Sequence, residues 1–316
     1  MKAIGGYFEL ELHKKKEYHQ NAIRLNTGRN AFEYILLANN YTKVYLPFFT
    51  CDVLLEPLIR NKIEYEFYHI NELLEPLFDF EFIRESEAFL YTNYFGLKDA
   101  FIKNFSSHCR NLIIDNSQSF FSKRISSIDT FYSPRKFFGL PDGAYLYSNK
   151  KLDQSFENDQ SYDRFAHLLK RIDCSAEEGY NDFVCNDKNL QNQNIKQMSA
   201  LTKSLLRSIN YEYCEEQRKS NFIFLHGKLK NTNKLIIDNF AVGIPMVYPY
   251  WTNDLLLRER LLKNKIFTAK YWKNVLEFTD SESIEYKMTN EIVYLPIDQR
   301  YNEEDLDRIV KIVFDV

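Results

Sequence analysis

The chain has 316 residues, with 41 Lys and Arg against 44 Asp and Glu and a net charge of -3. That length exceeds the usual single core, so two domains sharing one interface are expected, and the balanced, scattered charge offers no field for a phosphate backbone, which argues against nucleic acid as a partner. No stretch approaches the roughly 20 apolar residues of a membrane helix, and "MKAIGGYFELEL" lacks the apolar run of a signal peptide, so a cytoplasmic protein with no membrane partner is expected.

From Leu25 the pattern runs turn, helix, strand. "LNTGRNAFEYILLANN" has apolar residues at helical spacing behind a Thr-Gly start, and "KVYLPFF" is a short β run. The alternation continues through a helical "CDVLLEPLIRN", strands "IEYEFYHI" and "EAFLYTNYFG", a helix near Asp99 to Phe105 and a strand "NLIID". Such alternation predicts an α/β domain with a largely parallel sheet. The short strands "DTFYS" and "GAYLYSN" follow.

Residues 150 to 198 are polar and read as a helical excursion over the sheet. The stretch from Met198 to Leu229 keeps apolar residues at i, i+3, i+4 and i+7 without proline, which predicts one long helix bridging two domains. Beyond it a smaller α+β unit is expected: strand "AVGIPMVYPY", helix "NDLLLRERLLKN", strand "EIVYLPI" and helix "NEEDLDRIVKIV", with Asn302 as N-cap and three acids in the first turn. The domains are therefore drawn as 1–205 and 206–316. The five cysteines, odd in number and without a CxxC pair, read as reduced thiols.

Glycine is scarce, nine residues in all, less than half the usual level of about 7%. Gly28, Gly96, Gly139 and Gly143 nevertheless gather in the segments that open α/β folds place at one sheet edge, where ligands bind. Gly28 opens a helix and would let N–H groups approach an anion, with Arg29 adding charge; a plain cap and a solvated arginine explain the same residues. Asp115 ends a buried apolar strand and must be paired there or cap the next turn. Lys136 lies in "SPRKFFGLPDG", among aromatic residues and a tight turn; if buried, its ammonium would be disfavoured, as Schiff-base chemistry requires. A surface lysine is the alternative. A buried strand-end carboxylate, a lysine on a turn some twenty residues on and an anion-binding helix start are together what pyridoxal phosphate needs. No G-x-G-x-x-G follows a first strand, which argues against a Rossmann redox enzyme.

The order of "LNTGRNAFEYIL", "VYLPFFTCDVLLEPL", "YTNYFGLKD", "IIDNSQSFF", "SPRKFFGLPDGAYLYSN" and "YLPIDQRYNEEDLDRIVKIV" resembles the DegT/DnrJ/EryC1/StrS family of fold-type-I, pyridoxal-phosphate-dependent sugar aminotransferases, over nearly the whole chain. The resemblance implies Lys136 as the Schiff-base lysine, Asp115 as the partner of the ring nitrogen and Gln118 near the ring hydroxyl. It sets Gly28 and Arg29 at the phosphate, and implies a homodimer acting on a nucleotide-linked keto sugar with an amino-acid donor, most simply glutamate. The chain departs from the family in three places. Cys51 stands where an aromatic or histidine usually stacks on the ring, with Phe49 or Phe95 as compensating candidates. Phe131 occupies the usual serine position, five residues before the lysine, and Ser133 is the substitute. The loop that usually enters the partner's site is blurred in "QNQNIKQMS", with Asn194 its candidate. Tyr250, Trp251 and Tyr271 could stack on sugar or base, or could be core aromatics. Two rivals remain: a dehydratase of the same family, whose members carry histidine in place of the lysine, and a cofactor-free relative kept as a binding or scaffold protein.

Overall fold

In the computed structural model, which describes residues 4–237 and 243–315, ten strands and eleven α-helices build two sheets. Strand β1 (Ile23–Leu25) leads into α1 (Gly28–Asn39), β2 (Lys43–Pro47), α2 (Leu55–Arg60), β3 (Glu64–Ile70) and the two-residue β4 (Pro76–Leu77). Then come β5 (Glu87–Thr92), α3 (Asp99–Phe105), β6 (Leu112–Asn116), β7 (Asp129–Tyr132) and β8 (Ala144–Tyr147). The large sheet has the order β1-β8-β7-β6-β5-β2-β3-β4. Its centre, β7-β6-β5-β2-β3, is parallel, and β8, β1 and β4 add antiparallel edges. The continuous apolar runs of β5 and β6 match strands covered on both faces. This is the expected mainly parallel α/β architecture.

Helices α4 (Ala166–Asp173) and α5 (Ala176–Asn189) form the excursion, followed by α6 (Ala200–Leu206) and α7 (Tyr211–Leu229). The C-terminal part holds β9 (Val247–Trp251), α8 (Leu257–Lys263), α9 (Val275–Phe278), α10 (Ile284–Glu291), β10 (Ile292–Pro296) and α11 (Glu303–Phe314), with β9 and β10 antiparallel. Asn302 caps α11 as expected, and the Asp305 side chain returns the bond to the cap N–H.

The single helix expected from Met198 to Leu229 is two. It breaks between Leu206 and Tyr211, where the Asn210 side chain accepts from Tyr213 N–H and opens a new helix. Asn and Ser offer the backbone local alternatives to helix, which apolar periodicity does not register. The expected strand from Ala241 starts at Val247, after Pro245; Ala241 and Val242 lie outside the described residues. The boundary drawn at 205/206 falls in the last turn of α6. Phe222, Leu225 and Leu229 of α7 pack with Tyr248, Leu261, Val293, Leu306 and Ile309, giving the C-terminal part its own core. Trp251, Trp272, Met288 and Tyr294 meanwhile join the core beneath the large sheet with Phe49, Phe89 and Tyr94.

One residue ties these parts together. Arg218 of α7 is 1% exposed, and its guanidinium donates to Gln299 Oε1 (3.0 Å), to the Met246 (3.0 Å) and Pro245 (3.4 Å) carbonyls, and to the Phe137 carbonyl (3.2 Å). It also lies 4.6 Å over the Phe137 ring. Every one of these acceptors is neutral, so burial pulls the guanidinium pKa down to about 10, opposed by the nearby Asp298. No helix among the described residues is long and apolar enough to cross a membrane.

Arg218→Met strands these carbonyls without a donor. The variant is expected to lose about 3 kcal/mol, read as a lower urea midpoint at unchanged slope. An unchanged midpoint would show that Arg218 does not tie the parts together.

Candidate active site

The sheet edge at the C-terminal ends of β5, β6 and β7 gathers the residues singled out from sequence. Asp115 is the fourth residue of β6, beside Phe131 in the register with β7. It is 5% exposed, and its Oδ1 accepts from Ser117 N–H at 2.7 Å. Burial pushes the Asp115 carboxyl up; the charge of Lys136 and hydrogen bonds from the Ser117 side chain and backbone pull it back.

Lys136 ends a one-turn 3-10 helix, Pro134–Lys136, directly after β7. Of the two readings left open, burial and surface, the structure has the second: the side chain is exposed. A turn at the sheet rim leaves the long chain in solvent while its Nζ reaches back to donate to Ser117 Oγ at 3.2 Å. Lysine and carboxylate are thus linked through Ser117, a residue the sequence reading passed over.

Gln118 is fully buried. Its Oε1 accepts from Phe95 N–H at 3.0 Å, while its Nε2 is buried without a hydrogen-bond partner. Phe95 sits at φ 57° and Gly96 at φ 77°, both left-handed. A Cβ at Gly96 would lie 3.1 Å from the Ile244 carbonyl oxygen and 3.2 Å from Ser119 Oγ, so glycine is required there. The strain at Phe95 is held by Gln118 on its N–H and by Met246 N–H on its carbonyl (2.9 Å).

At the start of α1, Thr27 caps the helix by accepting from Asn30 N–H at 3.2 Å. A Cβ on Gly28 would reach the Phe131 ring and Ser133 Cβ at 3.9 Å, so helix start and Lys136 loop adjoin with room between them. Arg29 does not point free charge at an anion: it is 8% exposed and its Nη1 pairs with Glu56 Oε2 at 2.6 Å. Ser133 is half-buried beside Gly28, and its carbonyl accepts from Lys136 N–H.

Cys51 is half-buried; burial raises its thiol pKa, while Lys136 and Arg29 act to lower it, which sets Cys51 in the same electrostatic neighbourhood. Phe49 and Phe95, the compensating rings, are both fully buried, packed on Trp272 and Tyr294 respectively, so neither presents a ring face. Tyr250 and Trp251 are likewise core residues, with Tyr250 bonded to Thr232 and Trp251 Nε1 to Glu291. Tyr271 is half-buried against Tyr294.

Asn194 is exposed, and its loop is strapped to the start of α1. Asn26 Nδ2 donates to the Asn194 carbonyl (3.1 Å), while Asn30 (2.8 Å) and Arg60 (3.1 Å) donate to that of Gln193. The Pro141-Asp142-Gly143 turn is fixed as firmly. Asp142 is fully buried and accepts from Ser199 N–H (2.9 Å), Ser199 Oγ (2.7 Å) and Thr202 Oγ1; Gly143, at φ 118°, donates to the Asn26 carbonyl at 2.6 Å. The Ser-x-x-Thr at 199–202, a helix start with hydroxyls to spare, is the sequence signal that could have found this clamp.

No protein-family profile matches the sequence, and no curated protein matches it. Solved structures do. DesV of S. venezuelae, in complex with a ketimine intermediate, is 14% identical, with a TM-score of 0.63 over 96% of this chain and 85% of that one. The chain has the fold-type-I aminotransferase fold. A DegT DnrJ EryC1 StrS aminotransferase from Brucella abortus is 15% identical, with a TM-score of 0.62 over 93% and 85% of the two chains. The E. coli GDP-4-keto-6-deoxy-D-mannose-3-dehydratase with bound hydrated PLP is 13% identical, with a TM-score of 0.61 over 92% and 87%.

The raised Asp115 carboxyl has a consequence for stability without any ligand. A carboxyl raised on folding leaves the folded chain holding more protons than the unfolded one, so Asp115 favours folding below the unfolded value of about 4 and loses that contribution as pH rises through the folded value. Ligand-free Asp115→Asn should therefore melt above the wild type at pH 7, with the difference shrinking as pH falls toward 4. A variant that melts lower at pH 7 would contradict a buried carboxylate that Lys136 and Ser117 compensate only in part.

Proposed function

We propose that this chain is a pyridoxal-phosphate-dependent aminotransferase of the DegT/DnrJ/EryC1/StrS family that aminates a keto sugar. The observation that carries the reading is the link from Lys136 Nζ through Ser117 to the buried Asp115 at the rim of this fold. The residues present suit the cofactor. Asp115 is a buried carboxylate that reaches the Lys136 cation through Ser117 and not by a direct pair, Gln118 Nε2 is a buried donor without an acceptor, and the space at Gly28 adjoins the unpaired N–H groups of the α1 start.

When bound, pyridoxal phosphate supplies an aldehyde for the lysine and a ring that accepts the electron pair left at the substrate carbon. Asp115 holds a proton on the ring nitrogen, and its burial makes that charge pair strong. Gln118 Nε2 donates to the ring hydroxyl. The backbone N–H groups of Gly28 and Arg29 take the phosphate, with Ser133 beside them. Lys136, exposed and free to swing, moves the proton at the substrate carbon as general base and acid. Cys51 covers the ring in place of an aromatic side chain.

The donor is an amino acid, most simply glutamate, and the acceptor a nucleotide-linked keto sugar for surface polysaccharide or glycan assembly. The enzyme works in the cytoplasm as a homodimer, with the exposed Asn194 turned to a partner copy. The dehydratase reading is disfavoured because Lys136 is retained. A non-catalytic binding role is favoured by one observation: Cys51 replaces the stacking ring while Phe49 and Phe95 are buried elsewhere.

Protein mixed with pyridoxal phosphate is expected to gain a visible absorption band. Borohydride should bleach it and leave the reduced cofactor on the Lys136 peptide by mass spectrometry, and Lys136→Ala should show neither band nor adduct. A colourless wild type that takes up no cofactor would exclude the aminotransferase and leave the binding role.

A further inference from the structure

Ser117 lies between the lysine and the carboxylate. It follows Asp115 by two residues, is 8% exposed, and meets both functional groups with different atoms. Its N–H donates to Asp115 Oδ1 at 2.7 Å, and its hydroxyl accepts from Lys136 Nζ at 3.2 Å. The chain of bonds runs from Lys136 Nζ–H to Ser117 Oγ and from Ser117 N–H to Asp115 Oδ1. Both ends are charge-assisted.

The two charged groups differ in setting. Asp115 is buried and cannot move within its strand, whereas Lys136 stands at the rim in solvent with four rotatable bonds. Without a partner such a lysine samples many rotamers, few of which bring the amine over the carboxylate. We infer that Ser117 is a positioning residue that holds the Lys136 amine over Asp115 through its hydroxyl, so that the lysine serves as the carboxylate's counter-ion until a cofactor replaces it. Alanine at this position keeps the N–H to Asp115 and loses the hydroxyl alone, so the two contributions can be separated. Threonine keeps both.

The first test needs no cofactor. Urea unfolding of the wild type, Ser117→Ala, Lys136→Met and the double variant forms a cycle. The coupling is expected to change the folding equilibrium constant about threefold, with Ser117→Thr behaving as wild type. Strictly additive single effects would overturn the link. The second test rests on the cofactor reading proposed above. With pyridoxal phosphate bound, the pH midpoint of its absorbance should move by about one unit in Ser117→Ala and return in Ser117→Thr. Equal midpoints in wild type and Ser117→Ala would overturn the positioning role. If the wild type takes up no pyridoxal phosphate while the coupling persists, the cofactor reading fails and the Ser117 link stands.

Discussion

The structure turns on a carboxylate that is almost wholly withdrawn from water. Asp115 is the last residue but one of a strand that is buried along its whole length, and burying an ion there costs several kcal/mol unless something compensates. What the chain supplies is limited: one hydrogen bond from the Ser117 N–H and an ammonium at the rim that rests on the Ser117 hydroxyl. A sequence selected for stability alone would place an apolar residue there. The surrounding features become intelligible once that carboxylate is taken as fixed. The left-handed Phe95-Gly96 turn is bonded to Gln118, three residues after Asp115, and Gln118 keeps a buried N–H group unspent. Strain and unsatisfied donors of this kind persist where surrounding structure over-determines them, and they concentrate at functional sites.

The loop that carries Lys136 is correspondingly anchored on the side that follows the lysine. Arg218 grips its Phe137 carbonyl from the C-terminal part, and Asp142 clamps the following turn onto the start of α6. Asn26 joins that turn to the loop holding Asn194 and to the start of α1. The lysine is thus a flexible side chain on an inflexible backbone, which suits a group that must hold one position and then swing to another. Because Arg218 also binds the 245–246 segment and Gln299, the C-terminal part and the Lys136 loop share one set of hydrogen bonds.

Much of the fold was legible in the sequence because its central strands and amphipathic helices carry strong periodicity. α1, β2, β5, β6 and α11 lie where apolar spacing and caps put them. β1 and β4, three and two residues long, carry no periodicity and were missed. The break between α6 and α7 was missed because Asn210 acts through a side-chain cap, which competes with helix without disturbing the apolar pattern. At the site, Asp115 and Lys136 stood out by residue type and spacing and Gln118 through the family resemblance alone, while burial or exposure of Lys136 was left open. Ser117 and Arg218 were invisible for a different reason. Arg218 lies in the polar run "CEEQRKSN", indistinguishable from a solvated face until residues 137, 245, 246 and 299 close around it. Such long-range partners leave no local trace.

The most direct test of the account is a crystal structure of the protein grown with pyridoxal phosphate. Continuous density from Lys136 Nζ into the cofactor, with the ring nitrogen within hydrogen-bond distance of Asp115 and the phosphate at the Gly28 helix start, is the result the account predicts. Cofactor density seated elsewhere, or Lys136 still bonded to Ser117 beside an empty Asp115 in crystals holding excess cofactor, would contradict it.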